Sequence, residues 1–207
     1  MKRLFFIIMV SILATLSLAS NHPAYAKETE KAYSTIQLEF WPADIKSDTS
    51  EGDATFTKFS FSTVTREDLF LHIAMMIGEE EYDGEDTTDV TNFDIIGGAS
   101  FDIVDFGIGF RYWENDYKGH GASDELGPIV YLGLHQKLPQ TPLKIYARFT
   151  WNFVDWGETE EHEHFTLEPG ILCYVKPVTF GVGYQIKDYY DHDYRYKGPV
   201  ISIGFVF

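Results

Sequence analysis

The sequence predicts an all-β chain, a closed, antiparallel, up-and-down barrel of about ten strands, with eight as the alternative count. Three observations carry that prediction. Apolar residues recur at every second position over roughly ten segments, which is the period of a strand and not of a helix. Short turns and longer polar stretches alternate between the segments, as they do when a sheet runs up and down around a closed wall. The final stretch, Pro199 to Phe207, puts Pro199, Ile201, Ile203, Phe205 and Phe207 on one face and Val200, Ser202, Gly204 and Val206 on the other, a strand with one wholly apolar side.

At the other end, Lys2 and Arg3 precede an apolar run from Leu4 to Ala19, and Ala24-Tyr25-Ala26 has the small-x-small pattern of a signal-peptidase site. The run is too short for a membrane helix and is interrupted by Ser11, Thr15 and Ser17. The expected division is therefore a signal peptide over 1–26 and one barrel domain over 27–207, with no Pro/Gly/Ser-rich linker inside it. The lone cysteine, Cys173, excludes an internal disulfide. A net charge of −16, which becomes −18 once Lys2 and Arg3 leave with the signal, argues against nucleic acid as a partner. Aromatic residues make up 16%, too many for a disordered chain.

The strands follow in order. Tyr33 to Trp41 sets Ser34, Ile36, Leu38 and Phe40 against Tyr33, Thr35, Gln37 and Glu39. Near Thr55 to Thr63, Phe59 and Phe61 oppose Lys58, Ser60 and Ser62. After Arg66-Glu67-Asp68, the residues Leu69, Leu71, Ile73, Met75 and Ile77 alternate with His72, Ala74 and Gly78, which favours strand over helix there. Phe93 to Phe101 and Phe106 to Tyr112 read as a hairpin around 102 to 105. Gly127 to Lys137 and Leu143 to Phe153 flank the turn Leu138-Pro139-Gln140-Thr141-Pro142. In the second of these, Leu143, Ile145, Ala147, Phe149, Trp151 and Phe153 form the outward set, and Lys144, Tyr146, Arg148, Thr150 and Asn152 the inward one. Phe165 to Tyr174 and Val178 to Ile186 meet at Lys176-Pro177, before the last strand.

Short turns are expected near 64–68, 102–105, 138–142 and 175–177, and longer loops near 42–54, 78–91, 114–126, 155–163 and 187–198. Trp41, Trp113, Trp151 and Trp156, with Tyr112, Phe153 and Tyr184, fall at the loop ends and are expected to form an interfacial girdle. Tyr33, Phe101, Phe106, Phe180 and Phe207 would form the opposite rim. A soluble lipocalin-like barrel would reverse the two faces. The signal and the charged inward rows choose a transmembrane wall, apolar outside and polar inside.

Phe205 and Phe207, third from last and last, resemble the C-terminal assembly signal of bacterial outer-membrane β-barrels, with Ser202 at a position that is usually Gly in that family. Phe101 to Trp113, the run G-P-I-V-Y-L at Gly127 to Leu132, the Pro turn and the final G-P-V-I-S-I-G-F-V-F are similar to small, porin-like Gram-negative outer-membrane proteins. The resemblance implies export through the periplasm, handling by the barrel-assembly machinery, and a final setting among outer-membrane lipid and lipopolysaccharide.

The inward positions Glu39, Lys58, His72, Asp94, Arg111, His135, Lys144, Arg148 and Glu168 are expected to pair as a lumen network, since unpaired charge in a narrow bore is costly. Two stretches concentrate acid: Glu79, Glu80, Glu81, Asp83, Glu85, Asp86 and Asp89, and Asp155, Glu158, Glu160, Glu161 and Glu163 with His162 and His164. Their oxygens suit divalent cations, but neither has the order of a calcium loop, so no metal site or cofactor is assigned. The outward faces carry no His/Ser pair for lipid cleavage, and Asp188, Asp191, His192 and Asp193 have no arrangement that marks a protease. The function read from the sequence is a non-catalytic barrel with an envelope-structural or surface-binding role carried by acidic loops. A narrow porin-like channel is the alternative, ahead of a lipid-modifying enzyme or protease.

Overall fold

The computed structural model describes residues 33–47, 51–65, 67–82, 87–117, 121–152, 163–190 and 194–207. The expected signal over 1–26 lies outside them, as do Asp83, Glu85, Asp86, residues 153–162 with Trp156 and His162, and Asp191, His192 and Asp193.

Ten antiparallel strands close into a barrel: β1 Tyr33–Lys46, β2 Glu51–Val64, β3 Leu69–Tyr82, β4 Thr88–Phe101, β5 Val104–Tyr117, β6 Gly121–Lys137, β7 Leu143–Asn152, β8 His164–Val175, β9 Val178–Tyr189 and β10 Arg195–Val206. Each strand pairs with its sequence neighbours, and β10 closes the ring on β1 with Phe40 opposite Ile201 and Thr35 opposite Val206. Phe207 and Ser34 exchange two backbone hydrogen bonds, 2.8 and 2.9 Å, so the ladder runs to the end of the closing strand. Closure removes the free edges that any open sheet would present.

The turns fall where the sequence places them. Asp68 and Gln140 adopt left-handed backbone, φ 59° and 58°, in the β2–β3 and β6–β7 turns. Aspartate tolerates that conformation better than most side chains because it can bond its own backbone.

Toward the turn side of the wall, outward residues are large, apolar and exposed: Ile108 is 65% exposed, Val182 60% and Ile201 59%. Phe101, Phe106, Phe180 and Phe207 mark the turn-side rim of this belt.

Three expectations need correction. Apart from 155–163, which lies almost wholly outside the described residues, the stretches read as long loops carry strand over much of their length: β1 runs to Lys46 and β2 starts at Glu51, β3 runs to Tyr82, and β9 and β10 reach Tyr189 and Arg195. The alternation continues there with its faces exchanged. Trp41, Ala43 and Ile45 are buried inside while Asp44 and Lys46 are exposed outside. For the same reason Trp41 and Trp113, each 4% exposed, point into the barrel and are not part of a girdle, whereas Trp151 and Tyr184 do face outward. Tyr33 also lines the interior. Finally, the acids near 79–81 do not all stand on an acidic loop, because they belong to β3 and Glu80 turns inward and is buried.

The outward carboxylates above the apolar belt form a partial collar over β1 to β6. Asp44 stands opposite Asp53, Asp53 opposite Glu81, Glu79 opposite Asp89, Asp89 opposite Asp116 and Glu114 opposite Asp124. Like charges in direct cross-strand pairs oppose pairing. The ladder holds through its backbone bonds and through the apolar side chains behind it.

Candidate functional site

The interior is built from the inward residues of every strand and is crossed at two levels. At mid-height, Arg148 of β7 donates to Glu39 of β1 and to Glu168 of β8, both at 2.5 Å. β1 and β7 are not neighbours, being separated by β8, β9 and β10, so this guanidinium spans the bore. Lys58 holds the second oxygen of Glu39 at 3.0 Å, Gln37 donates to the first at 3.0 Å, and Tyr146 donates its hydroxyl to Glu168 at 2.7 Å. Glu39 and Glu168 are 2% and 3% exposed, and each is held by more than one donor, the condition under which buried charge is tolerated. Glycines make the space: a side chain on Gly170 would collide with the Tyr146 ring, and one on Gly183 would meet its hydroxyl.

Beside this knot, Arg111 of β5 makes a two-bonded pair with Asp94 of β4, both 2.7 Å, and donates to His164 of β8 at 2.9 Å. The paired fork is the strong form of an arginine–carboxylate contact. His72 shares a 2.7 Å hydrogen bond with Ser62. Nearer the turns, His135 donates to Asp105 at 3.2 Å and Ser100 donates to the same oxygen at 2.6 Å. Lys144 lines the turn-side space.

On the loop side the interior is apolar and aromatic. Phe56 stacks on Trp41 with ring centroids 4.9 Å apart, and Tyr196 packs on both. Ala43, Ile45, Ala54, Met76, Val90 and Val200 complete the cluster. Tyr82 of β3 reaches Tyr196 of β10 through hydroxyls 3.2 Å apart and donates to Glu80 at 3.0 Å. The ammonium of Lys187, from β9, lies 3.2 Å from the ring centre of Trp113 on β5 and 4.5 Å from that of Tyr189, and so makes another direct contact across the bore. An ammonium over a ring face is favoured most where water is excluded, and Lys187 is 2% exposed.

The candidate lumen residues thus separate into groups. Glu39, Lys58, Arg148 and Glu168 meet in one knot, Asp94 and Arg111 in a second, His72 stands with Ser62, and Lys144 lines the turn-side space with Asp105. Sequence reasoning missed Asp105, His164, Glu80 and Lys187 as interior groups. Strand parity would have found Lys187, two positions on from the inward Gln185, and Glu80, eight on from His72. Cavities of about 140 and 150 Å3 remain, one above and one below the knot, and Gln37, Ser62, His72, Tyr131 and Arg148 face both. At the rim, Asp188 is held by Arg195.

No family model matches the chain. No curated protein matches it in sequence. Among solved structures it is similar to the β domain of the Bordetella autotransporter BrkA, with 9% identity and a TM-score of 0.55 over 83% of this chain and 98% of that one. The translocator domain of the autotransporter NalP from Neisseria meningitidis gives 11%, 0.49, 97% and 95% for the same quantities. Neisserial surface protein A gives 11%, 0.43, 85% and 99%. At such identities the likeness is one of architecture: this chain has the fold of the bacterial outer-membrane β-barrels.

Proposed function

We propose that this chain is a sealed, non-catalytic barrel inserted in the bacterial outer membrane, and that it serves the envelope through its outer surface. The observation that supports sealing is the direct bridging of strands that are not neighbours, by Arg148 at mid-height and by Lys187 over Trp113 nearer the loops. A conducting bore of this strand number would have to keep its few ångströms of free width clear of such contacts. Insertion is supported by the exposed apolar belt, which water would not tolerate around a whole barrel. The working surface is the carboxylate collar and the loops above it, suited to divalent cations or to a cationic partner in the lipopolysaccharide layer.

Reconstituted in planar lipid bilayers, the protein should give no unitary currents, and Arg148→Ala should stay silent too, because Lys187 over Trp113 and the aromatic cluster still cross the bore on the loop side. Steady currents from the unmodified protein, with a selectivity that Arg148→Glu shifts, would make it a narrow channel instead.

The same reading has the chain exported to the periplasm by its leader and folded by the barrel-assembly machinery, with Phe205 and Phe207 as the signal for that machinery. Phe207→Asp should then reduce the protein recovered in outer membranes far more than Phe180→Asp, although both residues stand on the exposed turn-side rim. Equal losses at the two positions would remove the signal role and leave the barrel intact.

A further inference from the structure

We propose that the closing seam of the barrel, between β1 and β10, parts on its loop side, with Pro42 and Pro199 as the point where it opens. The seam pairs Thr35–Phe40 with Val206–Ile201 and, in the same register, Asp44–Lys46 with Lys197–Arg195. Between these two runs, Trp41, Pro42 and Ala43 form no ladder with Val200, Pro199 and Gly198. The break belongs to the seam and not to the strands themselves. β1 pairs with β2 from Tyr33 to Lys46, and β10 with β9 from Arg195 to Phe205, both without interruption.

Proline chemistry accounts for the break. Ser34 and Phe207 exchange two backbone hydrogen bonds, and such two-bond sites recur at every second residue of an antiparallel pair. Counting by twos from Ser34 reaches Pro42, which the register sets opposite Pro199. Neither residue has an N–H, so both bonds of that site are missing. Proline within a sheet is ordinarily kept to edge strands and bulges, and a closed ring has no edge. Contact replaces bonding here: a side chain on Gly198 would collide with the Pro42 carbonyl oxygen, so the two backbones touch.

Above the prolines, Asp44 faces Lys197 with opposite charge, but Lys46 and Arg195 stand directly opposite with like charge, which opposes pairing. Lys46 holds Glu51 of β2 at 3.1 Å and Arg195 holds Asp188 of β9, so both ion pairs tie the strands to their other neighbours. Behind the seam, Tyr196 of β10 packs on Trp41 of β1 with ring centroids 6.5 Å apart, and this contact is the latch. Trp41 also lines the cavity of about 140 Å3 above the knot. Release of the latch gives that space a sideways route through the wall.

The β8–β9 ladder also skips two positions, Glu168 and Pro169 opposite Gln185 and Tyr184. A single proline stands there and Tyr184 keeps its N–H, so that break carries no proposal.

The test is amide hydrogen exchange, followed by NMR on the full barrel in detergent micelles. Alternate residues of a strand bond to opposite neighbours, which supplies a control within each strand. The Asp44 amide points at β10 and that of Ile45 at β2; the Lys197 amide points at β1 and that of Tyr196 at β9. Asp44 and Lys197 should be protected about tenfold less than Ile45 and Tyr196, or weaker still, as expected beside a site that has lost two ordinary hydrogen bonds. Pro42→Val combined with Pro199→Val restores both donors. It should close that difference and slow exchange of the Trp41 indole N–H. Equal protection of Asp44 and Ile45, and of Lys197 and Tyr196, in the parent overturns the proposal, and this comparison needs no variant to fold. So does indole exchange at Trp41 that is as fast in the double variant as in the parent. Sealing is read separately: conductance reports on the bore, and exchange at these amides reports on the wall.

Discussion

The ionic knot at mid-barrel and the aromatic cluster on its loop side fill the same bore by opposite means. The knot uses four charges, Glu39, Lys58, Arg148 and Glu168, whose attraction must offset the loss of their hydration. The cluster uses Trp41, Phe56, Tyr196 and their neighbours, which lose little on leaving water and gain from dense contact. The knot is therefore intolerant of losing one member yet replaceable as a set. The cluster should fail in proportion to the volume removed.

The largest effect should come from Glu39→Gln, which leaves Arg148 and Lys58 facing each other with one carboxylate fewer. Removing one partner of a buried pair costs about 3–5 kcal/mol, measured here by urea unfolding of the barrel in lipid vesicles. Adding Arg148→Met should recover more than half of that loss, because Lys58 and Glu168 then remain as one charge of each sign. A double variant as damaged as the single one would show that the knot is held by shape and not by charge balance. Next comes Phe56→Ala, at about 3 kcal/mol from lost packing and the cavity left behind, with no rescue from any second substitution that only alters charge. Smallest is Tyr82→Phe, which removes the hydroxyl between Glu80 and Tyr196 and should cost about 1 kcal/mol. If it cost as much as Glu39→Gln, the cluster would have to be regarded as a second polar network.

The same contrast explains which parts of the molecule were legible in the sequence. Turn positions and strand faces in the apolar belt were readable because a period of two, with apolar residues outside, is imposed by what the wall faces on each side. The order Leu69, Leu71, Ile73, Met75, Ile77 needs no knowledge of partners. Above the belt the rule inverts, so Pro42-Ala43-Asp44-Ile45-Lys46 was read as polar loop although its parity is intact. Trp41 was misplaced for the same reason: proximity to a loop suggested a girdle, while its position after the outward Phe40 already put it inside. Which interior charges meet could not be read at all. The meeting of Glu39 with Arg148 depends on strand tilt and on how many strands close the ring, and a barrel of eight would have brought different residues together.

The exchange of faces along β1, β2 and β3 also sets a depth. Below it, the wall presents Phe40, Phe59 and Ile77 outward; a few residues higher, the same strands present Asp44, Asp53 and Glu81. In a membrane, a barrel that sank by two residues would carry these carboxylates toward hydrocarbon, and one that rose by two would bring Phe101 and Phe207 no gain while stripping lipid from Phe40 and Ile77. Immersion in a membrane would thus be fixed from above by charge and from below by aromatic side chains, and a single vertical position satisfies both.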